Sequence, residues 1–181
     1  IPGAGNQLGL AALAAFGAGV SMGMAPEEAA AALAGYAPAG MRQKVVEKGG
    51  VTVIEDCYNA SPDSMAAALA TLGSFPAAGK KIFVASDMLE LGEIACQCHR
   101  KIGETAAQSG ADVLLACGEL AREMVEAARE AGMADARFFP EKKELSAALV
   151  RLARPGDLIW FKGSRCMKLE EVVEDLYASL K

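Results

Sequence analysis

From Val51 onward the chain repeats one pattern: a short apolar, β-branched block, a polar break, then a helix-length amphipathic stretch. The pattern predicts strands over 51–56, 81–85, 112–117, 136–139 and 157–161. Helices are predicted over 62–72, 92–109, 119–131, 141–153 and 167–179. Blocks such as Ile82-Phe83-Val84 and Val113-Leu114-Leu115 are apolar at every position. A strand can afford that only when both its faces are covered, which is the habit of parallel sheets. Strand-then-helix order joins such strands by right-handed crossovers and lays helices on the sheet.

The fold class expected is therefore α/β: a Rossmann-like, doubly wound, mostly parallel sheet with helices on both faces. At roughly 130 residues it is of ordinary domain size. What precedes it reads differently. Residues 6–19 are an Ala/Leu-rich helix. Residues 26–34 are another, with Pro26 at its start, Glu27 and Glu28 in its first turn and Gly35 after its end. Two short helices have no sheet of their own to cover, so they read as the helical remnant of a preceding domain. Residues 35–50, rich in Gly, Pro and charge, read as a linker. The division expected is 1–47 for the remnant plus linker and 48–181 for the Rossmann-like domain. The first residue is Ile1, and the chain is expected to be the later part of a longer protein.

Of the 181 residues, 52% are hydrophobic, enough for a sizeable core. The formal net charge of −5 offers no basic footprint, so no nucleic-acid partner is expected. No apolar run reaches membrane-spanning length, and no insertion in a membrane is expected. An odd set of five cysteines, Cys57, Cys96, Cys98, Cys117 and Cys166, fits a reducing, cytoplasmic setting with free thiols. Cys96-x-Cys98-His99 lacks the spacing of zinc pairs and is read as plain helix, with no metal site. His99 sits inside a predicted helix beside Arg100 and Lys101 and is read as structural rather than as a base.

The chemistry is expected at the carboxyl ends of the strands, where open α/β sheets bind ligands. The first strand runs straight into Glu55, Asp56, Tyr58, Asn59, Ser61 and Asp63, with Ser61 as N-cap and Pro62 at the first position of the next helix. Asp87-Met88-Leu89-Glu90-Leu91-Gly92 follows the second strand. Lys162-Gly163-Ser164-Arg165 follows the last. Acids on two loops and cations on a third suit a zwitterion: carboxylates for its ammonium, Lys and a forked Arg for its carboxylate. There is no G-x-x-x-x-G-K-[ST] phosphate loop. Gly17-Ala18-Gly19-Val20-Ser21-Met22-Gly23 only approaches a dinucleotide fingerprint and follows a helix. No Ser/His/Asp or Cys/His order stands in a supporting context.

Asp56-Cys57-Tyr58-Asn59-Ala60-Ser61-Pro62-Asp63-Ser64-Met65 resembles the motif that opens the C-terminal domain of the Mur ligases. Asp87 to Gly92, Lys162 to Arg165 with Met167-Lys168, Gly40-Met41-Arg42-Gln43, and Ile1-Pro2-Gly3 with Asn6 resemble further motifs of the same family, in the same order. The sequence departs from the family pattern at Gly5, Gly9 and Cys166. The resemblance implies an ATP-dependent amide ligase of peptidoglycan precursor synthesis, of the kind that joins D-alanyl-D-alanine to UDP-N-acetylmuramoyl-tripeptide through an acyl phosphate. It implies ATP contacts from Asn6, Arg42, Asp56 and Asn59, and D-alanyl-D-alanine contacts from Asp87, Glu90, Lys162, Ser164 and Arg165. ATP and Mg²⁺ would be held mainly by the central domain, and the N-terminal and central domains of the same chain would be partners of this part. No catalytic residue is expected within these 181 residues, and the polypeptide alone is expected not to ligate. The alternatives are another Mur ligase, a folylpolyglutamate-synthase-like ligase, or a non-catalytic Rossmann-like binding module. The Asp87–Gly92 loop favours the D-alanyl-D-alanine ligases, and the orphan helices at 6–34 argue against a free-standing module.

Overall fold

The structure, a computed structural model, describes residues 6–37 and 40–180, with backbone alone at Asn6 and Gln7. The expected Ile1-Pro2-Gly3 motif and Gly5 lie outside the described residues. Helices α1 (Asn6–Ser21) and α2 (Pro26–Ala34) come first, then strands β1 (Lys44–Lys48) and β2 (Val51–Asp56). Four further helix–strand alternations follow: α3 (Pro62–Ser74), β3 (Lys81–Ser86), α4 (Ala95–Gln108), β4 (Val113–Cys117), α5 (Ala121–Glu130), β5 (Ala136–Phe139), α6 (Lys142–Leu152) and β6 (Leu158–Lys162). Helix α7 (Glu170–Ser179) closes the chain.

The strands form one sheet in the order β1-β2-β6-β3-β4-β5. All its neighbours run parallel except β1, which pairs antiparallel with β2. That edge strand corrects the linker reading of residues 35–50, and the boundary expected between 47 and 48 falls inside it. Lys48 pairs with Val51 across Gly49-Gly50, whose φ angles are 57° and 75°. Two left-handed residues make the tight hairpin whose twist matches that of its strands, and glycine adopts them without a Cβ penalty. The sequence carried this signal: two β-rich runs separated by Gly-Gly.

Alternate strand residues feed two separate cores. Phe83, Ala85, Leu114, Ala116, Leu158 and Trp160 face Met65 and Leu69 of α3, Ile102 of α4 and Met124 of α5. Ile82, Val84, Leu115, Ile159 and Phe161 face Leu145 and Leu149 of α6 and Val172 and Leu176 of α7. The chain builds the sheet outward from β2 through β3 and β4 to β5, then returns to insert β6 between β2 and β3. Reversing direction under a fixed crossover hand sends α6 to the opposite face, where α7 packs beside it over the same core. Doubly wound packing over both faces is thus observed as expected.

Strand β6 consequently has neighbours on both sides whose following helices lie on the other face. The chain leaves β2 and β3 one way and β6 the other, so crevices open beside the carboxyl end of β6. By contrast, among the described residues of α1 and α2 only Ala29 is buried, while Leu10, Leu13 and Met22 are exposed.

Candidate functional site at the carboxyl rim of the sheet

Lys162 ends β6 and is the register partner of both Asp56 on β2 and Ala85 on β3. Each polar loop named from the sequence starts at one of these strand ends, so all three meet on one rim. Lys162 is 3% exposed. Its Nζ donates to Asp56 Oδ2 at 2.9 Å and to the Asn59 carbonyl at 3.2 Å. Burial pushes the Asp56 carboxyl above its usual range, with the Lys162 ammonium pulling the other way. The Asn59 side chain accepts the Ala60 N–H at 2.8 Å, shaping the turn into α3. Ser61 caps α3 and Pro62 stands in its first turn, as read from the sequence, and Ser64 completes a reciprocal capping box that the sequence reading did not name.

A cleft of about 310 Å³ opens over these residues, lined by Arg42, Gln43, Asp56, Tyr58, Asn59 and Lys162 among others. The Arg42 guanidinium lies 4.0 Å from the centre of the Tyr58 ring. A cation on an aromatic face keeps its donors free at the edges, which suits phosphate or ribose oxygens. Three of the four expected nucleotide residues, Arg42, Asp56 and Asn59, therefore share one cleft. Asn6 opens α1, and its side chain is outside the described set. Lys162, grouped in sequence with the dipeptide residues, lies in this cleft instead.

On the other side of β6 the second and third loops interlock. Ser164 donates its N–H to the Asp87 carbonyl at 3.2 Å, and its Oγ accepts the Leu89 N–H at 2.9 Å. Asp87 Oδ1 accepts N–H groups of Leu120 at 3.1 Å and Ala121 at 2.7 Å, which caps α5. Gly163 is required by space: a Cβ there would collide with the Ser86 hydroxyl, itself buried without a hydrogen-bond partner among the described residues. Gly118, at φ 129°, likewise leaves no room for a Cβ against the Asp87 carboxylate.

The second cleft, about 660 Å³, is walled by Asp87, Leu89, Glu119, Arg122, Phe138 and Met167, with Gly118 and Pro140. It pairs small apolar walls with an acid and a cation, the needs of a short zwitterionic peptide. Arg122 Cζ sits 4.7 Å from the Phe138 ring centre. Glu119, Arg122 and Phe138 went unnoticed in the sequence. Gly118-Glu119 directly follows a buried strand, so the rule that pointed to the other loops would have found it. Ser164 is buried between the loops. Glu90 and Arg165 are exposed beside the clefts and line neither, Arg165 bonding Glu170 at 2.7 Å. Among the described residues the non-glycine residues with positive φ are Gln43, Glu90 and Lys168, and all three flank this rim. Backbone held in sparse regions tends to gather where function needs it.

Cys96 and Cys98 lie on α4, and no group of three or more His, Cys, Asp or Glu side chains converges among the described residues. No helix of the described residues is long and apolar enough to cross a membrane.

Residues 41–165 match the family described as Mur ligase, glutamate ligase domain. Over 99% of its length the chain is 40% identical to the UDP-N-acetylmuramoyl-tripeptide–D-alanyl-D-alanine ligase of Bacillus subtilis, and it covers 40% of that protein. It is 34% identical to the ligase of the same name from Escherichia coli over 68% of the chain and 26% of that protein. Among solved structures it superimposes on MurF from Acinetobacter baumannii with TM-score 0.86 and 28% identity, covering 96% of this chain and 38% of that one. Against MurF of Thermotoga maritima in complex with ADP the TM-score is 0.77 at 25% identity, over 91% of this chain and 36% of that one. The chain thus spans about 40% of the length of the Bacillus relative. With its rim motifs in family order and most of its sheet domain inside the match, the chain belongs to the Mur ligase family.

Proposed function

We propose that the chain is the C-terminal portion of an ATP-dependent ligase that adds D-alanyl-D-alanine to UDP-N-acetylmuramoyl-tripeptide in peptidoglycan precursor synthesis. One observation carries this reading: the motif-bearing loops after β2, β3 and β6 converge on Lys162 and Ser164, and leave a cleft on either side of β6. On this reading α1 and α2, within residues 1–47, end the central ATP-binding domain, and 48–181 with its edge strand β1 are the C-terminal domain. The parent is cytoplasmic.

ATP, when bound, converts the tripeptide carboxylate to an acyl phosphate that an amine can attack. This chain's part is to bind and orient. The first cleft fits a nucleotide edge: Arg42 presents free donors to phosphate or ribose, Asn59 stands exposed above it, and the buried Asp56–Lys162 pair fixes the floor. The second cleft takes the dipeptide, with Glu119 and Asp87 toward its ammonium, Arg122 toward its carboxylate, and Leu89, Phe138 and Met167 around its methyl groups. Glu90 and Arg165 line neither cleft and are assigned to the dipeptide only through the motifs they belong to. Holding nucleophile and electrophile together between domains supplies the proximity such a reaction needs. Mg²⁺ is assigned on this reading to the central domain, together with the triphosphate it accompanies.

The test is phosphate release by the full-length protein given ATP, Mg²⁺, UDP-N-acetylmuramoyl-tripeptide and a panel of amines. Release that depends on D-alanyl-D-alanine is expected. Release with L-glutamate or a diamino acid, but not with the dipeptide, would overturn the reading.

A further inference from the structure

Buried within α4, His99 hydrogen-bonds to no side chain that lines either cleft, yet it holds the loop that walls one of them. Its ring is fully buried. Nδ1 lies 2.7 Å from the Ala95 carbonyl, one helical turn back, and Nε2 lies 3.0 Å from the Met88 amide. A carbonyl can only accept and an amide can only donate. The ring is therefore the neutral tautomer with its proton on Nδ1, and Nε2 accepts. Asp87 Oδ1, at 3.9 Å from Nε2, is beyond hydrogen-bond reach and is occupied by the Leu120 and Ala121 amides.

The loop leaving β3 thus has three successive backbone groups fixed by two residues, Ser164 and His99. The Asp87 carbonyl takes the Ser164 N–H, the Met88 N–H goes to His99, and the Leu89 N–H goes to Ser164 Oγ. Met88 is wholly buried, so its amide has no water to turn to if His99 is lost. Asp87 and Leu89, the residues on either side of it, line the second cleft. The next residue but one, Glu90, is in the left-handed region at φ 65°, a conformation that costs energy unless its surroundings impose it.

We infer that His99 is a positioning residue for the amine-bearing substrate: through the Met88 amide it sets the backbone from Asp87 to Glu90 that walls the second cleft, while leaving the nucleotide cleft untouched. The inference rests on the assignment of that cleft to the dipeptide. A side chain that merely filled the core would be replaceable by an apolar one of similar bulk. His99→Leu keeps most of the volume and removes the acceptor. His99→Gln keeps an acceptor that can reach Met88.

Two measurements test it. In the full-length ligase, His99→Leu should raise the KM for D-alanyl-D-alanine by about tenfold, the worth of one lost buried hydrogen bond, and leave the KM for ATP within about twofold. His99→Gln should recover most of the dipeptide KM at equal or lower melting temperature. Equal effects of His99→Leu on both KM values, or none on the dipeptide, would overturn the inference. Should the wild-type enzyme refuse the dipeptide, the functional reading fails by itself, and amide hydrogen exchange in this chain still decides the loop. Exchange at Met88 and Leu89 should quicken by about tenfold or more in His99→Leu, while Phe83 and Val84 of β3 stay protected. Unchanged exchange at Met88, or a uniform rise across β3, would show that His99 only fills space.

Discussion

Asp56 and Lys162 are 106 positions apart in sequence and touch at 2.9 Å, nearly out of water. Attraction in such a pair is offset by the cost of stripping both ions of solvent, so its removal is asymmetric. Lys162→Met leaves a carboxylate buried without a cation and is expected to cost about 3–5 kcal/mol of unfolding free energy. The double change with Asp56→Leu should cost less than that single one, which urea titration of the two proteins would show. The thiols behave differently again. Burial, reinforced by nearby carboxylates, pushes Cys57 up to about 12 and Cys117 up to about 11. Cys96 and Cys166 are exposed. Alkylation near neutral pH should mark Cys96 and Cys166 first, with Cys57 and Cys117 labelled only on unfolding, as peptide mass mapping would record. In the unfolded chain these buried thiols ionise near 9.0, and in the folded chain only near 11 to 12. The folded state therefore binds more protons in that window, and stability should fall there by about 1.4 kcal/mol per pH unit for each thiol. A melting temperature that does not drop between these pH values would contradict it. Of the site residues, types and loops were legible in the sequence. The partners of Lys162 and Asp87 were not, because side-chain pairing across a sheet depends on strand order.

Helices α4 and α5 cross closely because Gly103 has no side chain. A Cβ there would strike the Met124 carbonyl of α5. Alanine normally favours a helix interior over glycine by about 1 kcal/mol. Here overpacking against backbone outweighs it, and Gly103→Ala is expected to destabilise by about 1–3 kcal/mol, read as a lower urea midpoint. The opposite sign would mean that the crossing has room to give. Element types along 51–180 were set by period and by breakers, and β2, α2 and β5 match their expected limits. The edge strand β1 was overlooked because Gly, Lys and Glu weigh toward a linker. Half-exposed edge strands carry little apolar signal, and β1 gains its order by pairing with β2.

At the scale of the molecule, the sheet domain is complete in its own two cores, whereas α1 and α2 are not. Leu10 and Leu13 of α1, and Met22 just after it, are exposed by 69% or more. Leu13→Glu should accordingly change the unfolding free energy of the sheet by no more than about 0.5 kcal/mol. A larger loss would show that α1 contributes to the core. The 181-residue polypeptide alone should release no phosphate from ATP in the presence of both other substrates, since this chain provides orientation and no phosphate loop. Turnover by the isolated chain would refute that division of labour. Hydrophobic period and turn chemistry act over a few residues, so the sequence by itself determined the kinds of element, their order, the two-faced burial and the polar loops at the strand ends. Only the tertiary structure decided that β6 enters between β2 and β3, because sheet order is settled by which long-range packing buries both faces. That insertion seats Lys162 on Asp56, latches Ser164 to Asp87 and Leu89, and divides one polar rim into two clefts.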